Sequence, residues 1–427
     1  MKEKIRKIVG VILVVSLCGG TLGVVSHLVE RKASDVKYMP FFEQDEDYQV
    51  LFIGNSHTAL GIFPMELWKE YGIVSYNFGG HGNTIPTTYW VLMNALDYTV
   101  PDVVVLDCSK ISTPKMTSTS IEQVHLSLDA FPLSSTKIDT IKDQVPEDKQ
   151  LDFLWKFSTY HNRWNDLTQE DWKFEYTKEK GAESKVVVAK PQETEKISEK
   201  KMFEGNNYGV QYLEKIIMEC QSRNIQLLLT YLPFPADEKK QMESHRVAAI
   251  AEEYGVDYIN FLDMNIVDYD TDCSDGYSHL NPSGAKKVTS YLGKYLTENY
   301  GIKDQRNNSA YKQWNNDYDE YALYKTELLK SQSSLDTYLM LLADKDWNIV
   351  ITMNNSAIWD VPLYKKLLNN IGFDSEDVGT EEALDGDIHV LVTDKKKETV
   401  IDNVVINYEV EKGELLPENI EIIRPWG

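Results

Sequence analysis

The sequence predicts a three-layer α/β domain on a parallel sheet, with an apolar helix before it and a small α+β domain after it. Three observations predict this class. Short, almost continuously apolar runs alternate with helical patterns between about residues 48 and 301, which is typical of parallel strands buried on both faces. A second series of strand-like runs begins near residue 347. The 427 residues also exceed one typical domain of about 100–200 residues.

The predicted parallel sheet has its strands at the apolar runs. These are residues 48–54, 73–78, 101–108, 225–233 and 256–261. Helices are predicted between and after them at residues 84–98, 207–224, 236–255 and 281–301. The last helix has Pro282 near its start and Gly301 past its end, positions that favour these residues. The alternation predicts helices on both faces of the sheet.

Residues 110–205 break this rhythm with a polar, charged stretch. We interpret them as an insertion over one edge of the sheet, in which residues 178–201 form an exposed loop or hairpin. The insertion holds a group of aromatic residues that is either a satellite core or a sugar-binding platform. Its members are Trp155, Phe157, Tyr160, Trp164, Trp172, Phe174 and Tyr176.

The chain divides into four predicted parts. Residues 1–32 form a membrane anchor or signal, and residues 33–302 form the main domain with its insertion. Residues 303–335 are polar and read as a linker. Strand-like runs and a helical pattern then predict an accessory domain over residues 336–427; they lie at residues 347–354, 361–373, 389–394 and 403–410.

The N-terminus combines a basic flank with an apolar stretch. Lys2, Lys4, Arg6 and Lys7 precede residues 8–26, which carry no charge. That length is near the roughly 20 residues that cross a bilayer, and basic flanks stay in the cytoplasm. We therefore expect a single-pass membrane protein whose bulk is extracytoplasmic. A cleaved signal, giving a secreted protein, and a buried helix are the alternatives.

Composition excludes several classes of function. A net charge of -23 repels phosphate backbones, so we expect no nucleic-acid partner. The histidines and cysteines show no metal-binding spacing, so we expect no metal site. Outside the apolar stretch only Cys108, Cys220 and Cys273 remain, which predicts no disulfide framework. No organic cofactor is indicated.

Ser56 is the candidate nucleophile, because it directly follows the first predicted strand in the stretch Gly54-Asn55-Ser56. Ligands of parallel α/β sheets bind beyond the carboxyl ends of strands, and backbone N–H groups there can hold an oxyanion. A serine also needs a base. His279 precedes the last predicted helix and has Asp275 four residues before it. These residues predict a nucleophile, a base and an orienting acid.

The order of these blocks resembles the SGNH/GDSL hydrolase superfamily. Its first block matches Gly54-Asn55-Ser56, and its second block resembles residues 77–84. The resemblance implies that the backbone N–H groups of Ser56 and Gly82 form an oxyanion hole. The family places its acid three residues before the histidine, so the triad acid is either Asp275 or Asp272.

The third block departs from the family pattern. The family has G-x-N-D after the third strand, with an Asn that donates to the oxyanion. This sequence has VVLDCSKIS at residues 104–112, which lacks that Asn. Ser109 is the candidate substitute.

The departures resemble one branch, the membrane-anchored proteins related to alginate O-acetyltransferases and to the D-alanyl transfer protein. The resemblance covers about residues 48–300. It implies acyl transfer to a cell-surface or exported polysaccharide through acyl-Ser56, with a multi-span membrane acyltransferase as a possible partner. Asn55, His161 and Arg163 are candidate substrate contacts, although the last two could instead tie the insertion down.

Two other functions stay open at this point. A cell-surface carbohydrate esterase or deacetylase would use the same triad with water as the acceptor. A degenerate glycan-binding or assembly protein would keep the fold without the chemistry.

Overall fold

The computed structural model describes most of the chain. It covers residues 2–30, 33–43, 46–117, 120–172, 176–198, 201–373, 386–395, 399–411 and 414–423. Of the aromatic residues singled out in the insertion, Phe174 lies outside this part of the chain.

A five-stranded sheet with the order β2-β1-β3-β4-β5 forms the centre of the main domain, and all its pairings are parallel. Its strands are β1 (Val50–Gly54), β2 (Ser75–Gly79), β3 (Val103–Asp107), β4 (Gln226–Tyr231) and β5 (Asp257–Asn260). The first three are buried along their whole length, as expected for parallel strands that are covered on both faces. The predicted parallel α/β architecture is confirmed.

Helices precede this sheet, cover both its faces and form the insertion. They are α1 (Lys2–Val29), α2 (Ala33–Glu43), α3 (Ser56–Gly61), α4 (Pro64–Tyr71), α5 (Ile85–Leu96), α6 (Ile121–Leu128), α7 (Ser135–Gln144), α8 (Gln150–Leu154), α9 (Lys156–Tyr160), α10 (Gln169–Trp172), α11 (Tyr208–Ser222), α12 (Glu238–Tyr254), α13 (Tyr269–Asp272), α14 (Pro282–Tyr300) and α15 (Lys312–Lys330). Short 3-10 turns occur at Glu147–Lys149, His161–Asn165, Phe261–Asp263 and Ser309–Tyr311.

The two-residue period of β1 divides the core into two layers. Leu51 and Ile53 pack into one hydrophobic cluster, which includes side chains of α5 and α11. Val50 and Phe52 pack into another, which includes side chains of α4 and α14. Successive side chains of a strand point to opposite faces, so a continuously apolar strand supplies both layers.

Helix α1 is apolar and lies outside both layers. An 18-residue window within Lys4–Val29 has a mean hydropathy of 2.5, and none of that window is buried. By length and composition the helix can cross a membrane, and an N-terminal signal sequence has the same properties.

The predicted exposed loop at residues 178–201 is wrong for its first half. Residues 177–192, called the strap below, have little regular structure but are held by backbone hydrogen bonds to the main domain. Lys180 O accepts from Asn77 N, and the N–H of Glu183 donates to Ala59 O, at 3.0 and 2.9 Å. These partners lie more than 100 positions away in the sequence, so the local polar composition gave no sign of them.

The C-terminal part of the chain forms an antiparallel sheet with the order β6-β7-β8-β9. Its elements are α16 (Leu335–Leu342), β6 (Trp347–Met353), a 3-10 turn (Ala357–Asp360), α17 (Pro362–Ile371), β7 (Ile388–Asp394), β8 (Val400–Glu411) and β9 (Glu414–Ile423). Leu339, Leu367, Val390 and Ile406 belong to its separate hydrophobic core.

Helix α15 occupies the region predicted as a linker and packs into the main domain. Trp314 is fully buried in the first core layer, against Trp68 of α4. Near the other end of α15, the Lys325 ammonium is 2.9 Å from Glu66 Oε1 of α4. It is also 2.9 Å from a carboxylate oxygen of both Asp344 and Asp346. These two acids precede β6, so Lys325 joins the main domain to the C-terminal unit.

The carboxylates around Lys325 keep it charged. Burial alone would lower the pKa of this lysine, but Asp344 and Glu66 hold it well above its usual value. The Lys286, Lys325 and Lys69 ammonium groups likewise hold the pKa of Asp344 well below its usual range, against the effect of burial. Removing any one of these charges would leave a buried partner less well compensated.

We expect Lys325→Met to destabilise the full-length protein by about 3–5 kcal/mol, because it leaves buried carboxylates without their shared cation. The free energy of unfolding in urea measures this. Lys330→Met is the matched control on the same helix, since Lys330 pairs with Glu327 at the surface; it should change stability by less than about 0.5 kcal/mol. An equal effect of the two substitutions would contradict the bridging role of Lys325.

Candidate active site

Ser56 is the first residue of α3, directly after β1. Gly54 ends the strand at φ +155°, where an added Cβ would lie 2.2 Å from Thr58 Oγ1, so the turn needs glycine. Asn55 is the N-cap, and its Oδ1 accepts from His57 N at 2.8 Å. First-turn N–H groups of a helix have no intrahelical acceptor. Ser56 therefore presents both its hydroxyl and its N–H at the end of the sheet.

The structure brings Ser56, His279 and Asp275 together. His279 Nε2 is 2.7 Å from Ser56 Oγ, and His279 Nδ1 is hydrogen-bonded to Asp275 Oδ2. The carboxylate is an acceptor only, so this bond assigns the proton to Nδ1 and leaves Nε2 to accept from the serine. The arrangement is that of a nucleophile, a general base and an orienting acid.

Asp275 is held as a carboxylate. Its Oδ1 accepts from the N–H groups of Tyr277, Ser278 and His279 at 3.0–3.2 Å. Burial alone would raise its pKa, but the hydrogen bonds from His279 and these N–H groups hold it well below its usual value. Gly276 turns the chain with φ +72°, which accommodates the four-residue separation of acid and base.

Asp272, the alternative acid, is fully buried and engaged elsewhere. Its Oδ2 accepts from Lys287 Nζ at 2.7 Å, and its Oδ1 accepts from Ser283 Oγ at 2.9 Å. Both partners belong to α14. Asp272 therefore fixes the start of that helix, and Asp275 is the acid that contacts His279.

Gly82 lies in the turn after β2 and has a left-handed backbone, with φ +73°. An added Cβ would lie 2.7 Å from Gln123 Oε1. Within the described part of the chain, the N–H groups of Ser56 and Gly82 donate no hydrogen bond to a backbone carbonyl. Freedom from a backbone acceptor is one requirement of the oxyanion role that the family resemblance implies for them.

Ser109 does not lie free at the site, and its interpretation as an oxyanion donor is wrong. It is buried, its Oγ accepts from Asn55 Nδ2 at 2.8 Å, and it donates to Asp107 Oδ2 at 2.5 Å. The same contacts engage the Asn55 amide, which is only 2% exposed. Asn55 is consequently a structural cap and not a substrate contact.

His161 and Arg163 also lie elsewhere. Arg163 Nη1 donates to the carbonyls of Val29 and Glu30 at 2.8 and 2.7 Å, and Nη2 pairs with Asp171 at 2.9 Å. The exposed His161 ring contacts Ser158 O at 3.0 Å. Arg163 ties the insertion to the end of α1, so its interpretation as a substrate contact is corrected. The contacts of His161 lie within the insertion, and its role as a substrate contact stays a prediction.

Two neighbours of the triad were not predicted as site residues. The His57 ring lies 5.5 Å from the His279 ring and 4.5 Å from Phe234. Burial and the nearby His279 charge lower its pKa well below the usual value, so it is a neutral wall of the site. Lys185 of the strap lies 3.7 Å from Asp275; no local sequence signal connects these two residues.

A comparison with solved structures finds one that is similar to this chain. It is a lipolytic protein of the G-D-S-L family from Desulfitobacterium hafniense DCB-2, with 14% identity and a TM-score of 0.30. The similarity covers 58% of this chain and 98% of that chain. No protein-family model and no curated protein match the sequence. A similarity of this size does not decide the chemistry of Ser56.

The Asp107 carboxyl supports the Ser109–Asn55 contact and titrates in an accessible range. Burial raises its pKa to about 6, although the hydrogen bonds from Ser109 and Leu232 lower it. Because the folded-state pKa lies above the ordinary value, the folded protein binds this proton more tightly. The stabilisation that the folded protein gains by binding this proton is therefore full below about pH 4, and it is lost as the pH rises to about 6.

We expect the stability difference between the native protein and Asp107→Asn to change with pH for this reason. The native protein should lose on the order of 2–3 kcal/mol relative to the variant between pH 4 and pH 7. Urea unfolding at several pH values measures the difference. Asp139→Asn removes a surface carboxylate and is the control. A pH-independent difference for Asp107→Asn would show that this carboxyl does not titrate as described.

Proposed function

We propose that this protein is a serine-dependent acyl-transfer enzyme of the SGNH/GDSL type. It transfers an acyl group to a cell-surface or exported polysaccharide through an acyl-Ser56 intermediate. The observation that carries the proposal is the continuous hydrogen-bonded chain from Ser56 Oγ through His279 to Asp275.

The first half of the reaction acylates the serine. His279 Nε2 takes the Ser56 proton while Oγ attacks the carbonyl carbon of an ester or thioester donor. Asp275 stabilises the imidazolium that forms. The N–H groups of Ser56 and Gly82 stabilise the oxyanion. The leaving group then takes the proton from His279, and the acyl-serine remains.

The second half depends on which hydroxyl reaches the acyl-serine. A sugar hydroxyl gives acyl transfer, and water gives the alternative function, a carbohydrate esterase or deacetylase. The His279 and Asp275 side chains are 21% and 25% exposed, which leaves the site open to water and favours retaining the esterase as the second candidate. The intact triad contacts argue against a degenerate binding protein.

The proposed location is the outer face of the cell membrane, with α1 as the anchor. Three tryptophans of the insertion, Trp155, Trp164 and Trp172, are 44%, 66% and 68% exposed. Each adjoins a residue that holds the end of α1. Lys156 pairs with Glu30 at 3.2 Å, Arg163 binds the carbonyls of Val29 and Glu30, and Asp171 pairs with Arg163.

Exposed tryptophans beside the end of an apolar helix are typical of a membrane–water interface, because the indole ring is both apolar and a hydrogen-bond donor. The anchor would also keep the triad near a multi-span membrane acyltransferase that could supply the acyl group. The multi-span membrane acyltransferase is thus the partner that we propose as the source of the acyl group.

Acyl-enzyme trapping tests the chemistry. We expect the full-length chain, treated with p-nitrophenyl acetate, to gain one acetyl group on the Ser56 peptide, and Ser56→Ala to gain none. Asp275→Asn should lower the acylation rate about 10³–10⁴-fold, because it removes the acceptor that sets the His279 tautomer. Mass spectrometry and p-nitrophenol release measure the two effects.

Asp272→Asn is the matched control for the acid. It should cost stability, since it breaks the buried contact with Lys287, yet keep the acylation rate of the folded protein within about tenfold. Acetylation of Ser56→Ala at the native rate would overturn the proposed nucleophile.

Quenching by brominated lipids tests the location. In vesicles containing 6,7-dibromo phosphatidylcholine, we expect tryptophan fluorescence of the full-length chain to be partly quenched. Replacing Trp155, Trp164 and Trp172 by Phe should remove most of the quenched fraction, because these rings lie at the interface. Replacing the buried Trp68 and Trp314 by Phe is the control. Undiminished quenching in the triple variant would place the patch away from the bilayer.

A further inference from the structure

A cavity of about 440 Å³ borders the turn that carries Gly82. Its walls come from α2, the turn after β2, α6, the strap and α15. They include Lys37, Tyr38, Gly80, His81, Glu179 and Glu183. The volume falls within the range of small-molecule sites, roughly 300–1,000 Å³. None of the triad residues lines this cavity; it adjoins their site through the turn of residues 80–82.

Charged groups are built into the cavity walls. The buried Lys37 ammonium donates to Gly79 O and, at 2.8 Å, to Glu183 Oε1. His81 Nε2 lies 2.6 Å from the other oxygen of Glu183. Glu179 is buried as well and accepts from the Ser184 hydroxyl. Charged side chains are rarely buried unless they are paired, because burial penalises their charged forms; here the pairs lie in the cavity walls.

The two glutamates differ in their protonation. Burial raises the pKa of Glu179 to about 7, although the hydrogen bond from Ser184 lowers it. Burial alone would also raise the pKa of Glu183, but Lys37 and His81 hold it at about 2. Near neutral pH the ammonium therefore balances one carboxylate, and Glu179 titrates.

This set of groups fits a neutral ligand rich in hydroxyl groups. Carboxylate oxygens accept, an ammonium donates, and each hydroxyl of a sugar can do both. A ligand carboxylate or phosphate would instead meet two glutamates, and like charges at close range are unfavourable. Tyr38 and Tyr324 add aromatic surface to the same walls.

The cavity is tied to the strand and helix that position Ser56. Gly80 N donates to Gly54 O at 3.1 Å, and Glu183 N donates to Ala59 O at 2.9 Å. Gly54 lies two residues before Ser56, and Ala59 lies on α3 three residues after it. Gly80 and His81 lead directly into Gly82. A ligand in the cavity would thus touch the turn that is assigned to the oxyanion.

We propose that this cavity binds a neutral sugar unit of the acceptor, whose hydroxyl takes the acyl group from Ser56. The inference rests on the proposed function and names its acceptor class. The sugar oxygen attacks the acyl carbon, so a new ester C–O bond forms and the bond to Ser56 Oγ breaks. His279 Nε2 takes the hydroxyl proton and returns it to Oγ. The step needs no further reactant.

The test compares acetyl transfer with hydrolysis in the full-length chain in detergent. The donor is p-nitrophenyl acetate, the acceptor is methyl β-glucoside, and mass spectrometry measures the acetylated glucoside. Glu179→Gln should raise the glucoside concentration for half-maximal transfer about tenfold, the usual effect of weakening one hydrogen bond to a charged group. Leu126→Trp, which fills the cavity from its half-buried wall, should lower transfer at least tenfold.

Both variants should hydrolyse p-nitrophenyl acetate without glucoside within about twofold of the native rate. Asp139→Asn, which alters a surface carboxylate outside the cavity, should leave transfer and hydrolysis unchanged. Methyl galacturonoside gives the charged arm. A better acceptor activity of this anion than of the glucoside would overturn the neutral-ligand assignment.

The outcomes separate this inference from the proposed function. Native transfer by both cavity variants, with acyl-Ser56 forming normally, would overturn the cavity assignment and leave the acyl chemistry standing. If no acyl-Ser56 forms, the proposed function fails, and calorimetric titration of methyl β-glucoside into Ser56→Ala decides the binding site. Binding that Glu179→Gln weakens would support the cavity, and no binding would overturn it.

Discussion

Ser56 owes its position to the pairing of β1 with parallel strands on both sides. Gly54 is level with Gly79 of β2, and Ile53 is level with Leu106 of β3. Because all three strands end at one edge, the residues that follow them converge there. The pairing of the strands therefore makes the Ser56 turn, the Gly82 turn and the Asp107–Ser109 segment neighbours.

The segment after β3 has a different task from the one implied by the family resemblance. The family uses an Asn there as a donor to the reacting oxygen. In this chain Ser109 accepts a hydrogen bond from Asn55 and donates one to Asp107. Each buried hydrogen bond of this kind contributes about 1 kcal/mol and leaving one unmade costs more. The turn is thereby fixed, and the backbone N–H groups of Ser56 and Gly82 are the donors that the proposed mechanism uses for the oxyanion.

Sequence reasoning succeeded where one physical signal was enough. Continuous apolar runs predict buried parallel strands, and the stretch around His279 contains its own acid. It failed where a side chain's partners are distant. Arg163 has the chemistry to bind a substrate, but it binds the carbonyls of Val29 and Glu30 across more than 130 positions. The strap is polar, and its burial depends on backbone acceptors in α3 and in the loop between α13 and α14.

That dependence gives the C-terminal unit a physical connection to the triad. Val186 and Val188 of the strap pack against its hydrophobic core, while Ala189 N donates to Cys273 O at 2.9 Å, at the start of the loop that carries Asp275 and His279. From the other side, Lys366 of α17 pairs with Asp268 at 3.0 Å, just before α13. The loop that carries Asp275 and His279 is short of regular structure, and these neighbours add to the hydrogen bonds that it makes within itself. A unit outside the resemblance thus stabilises the acid and base that the resemblance predicts.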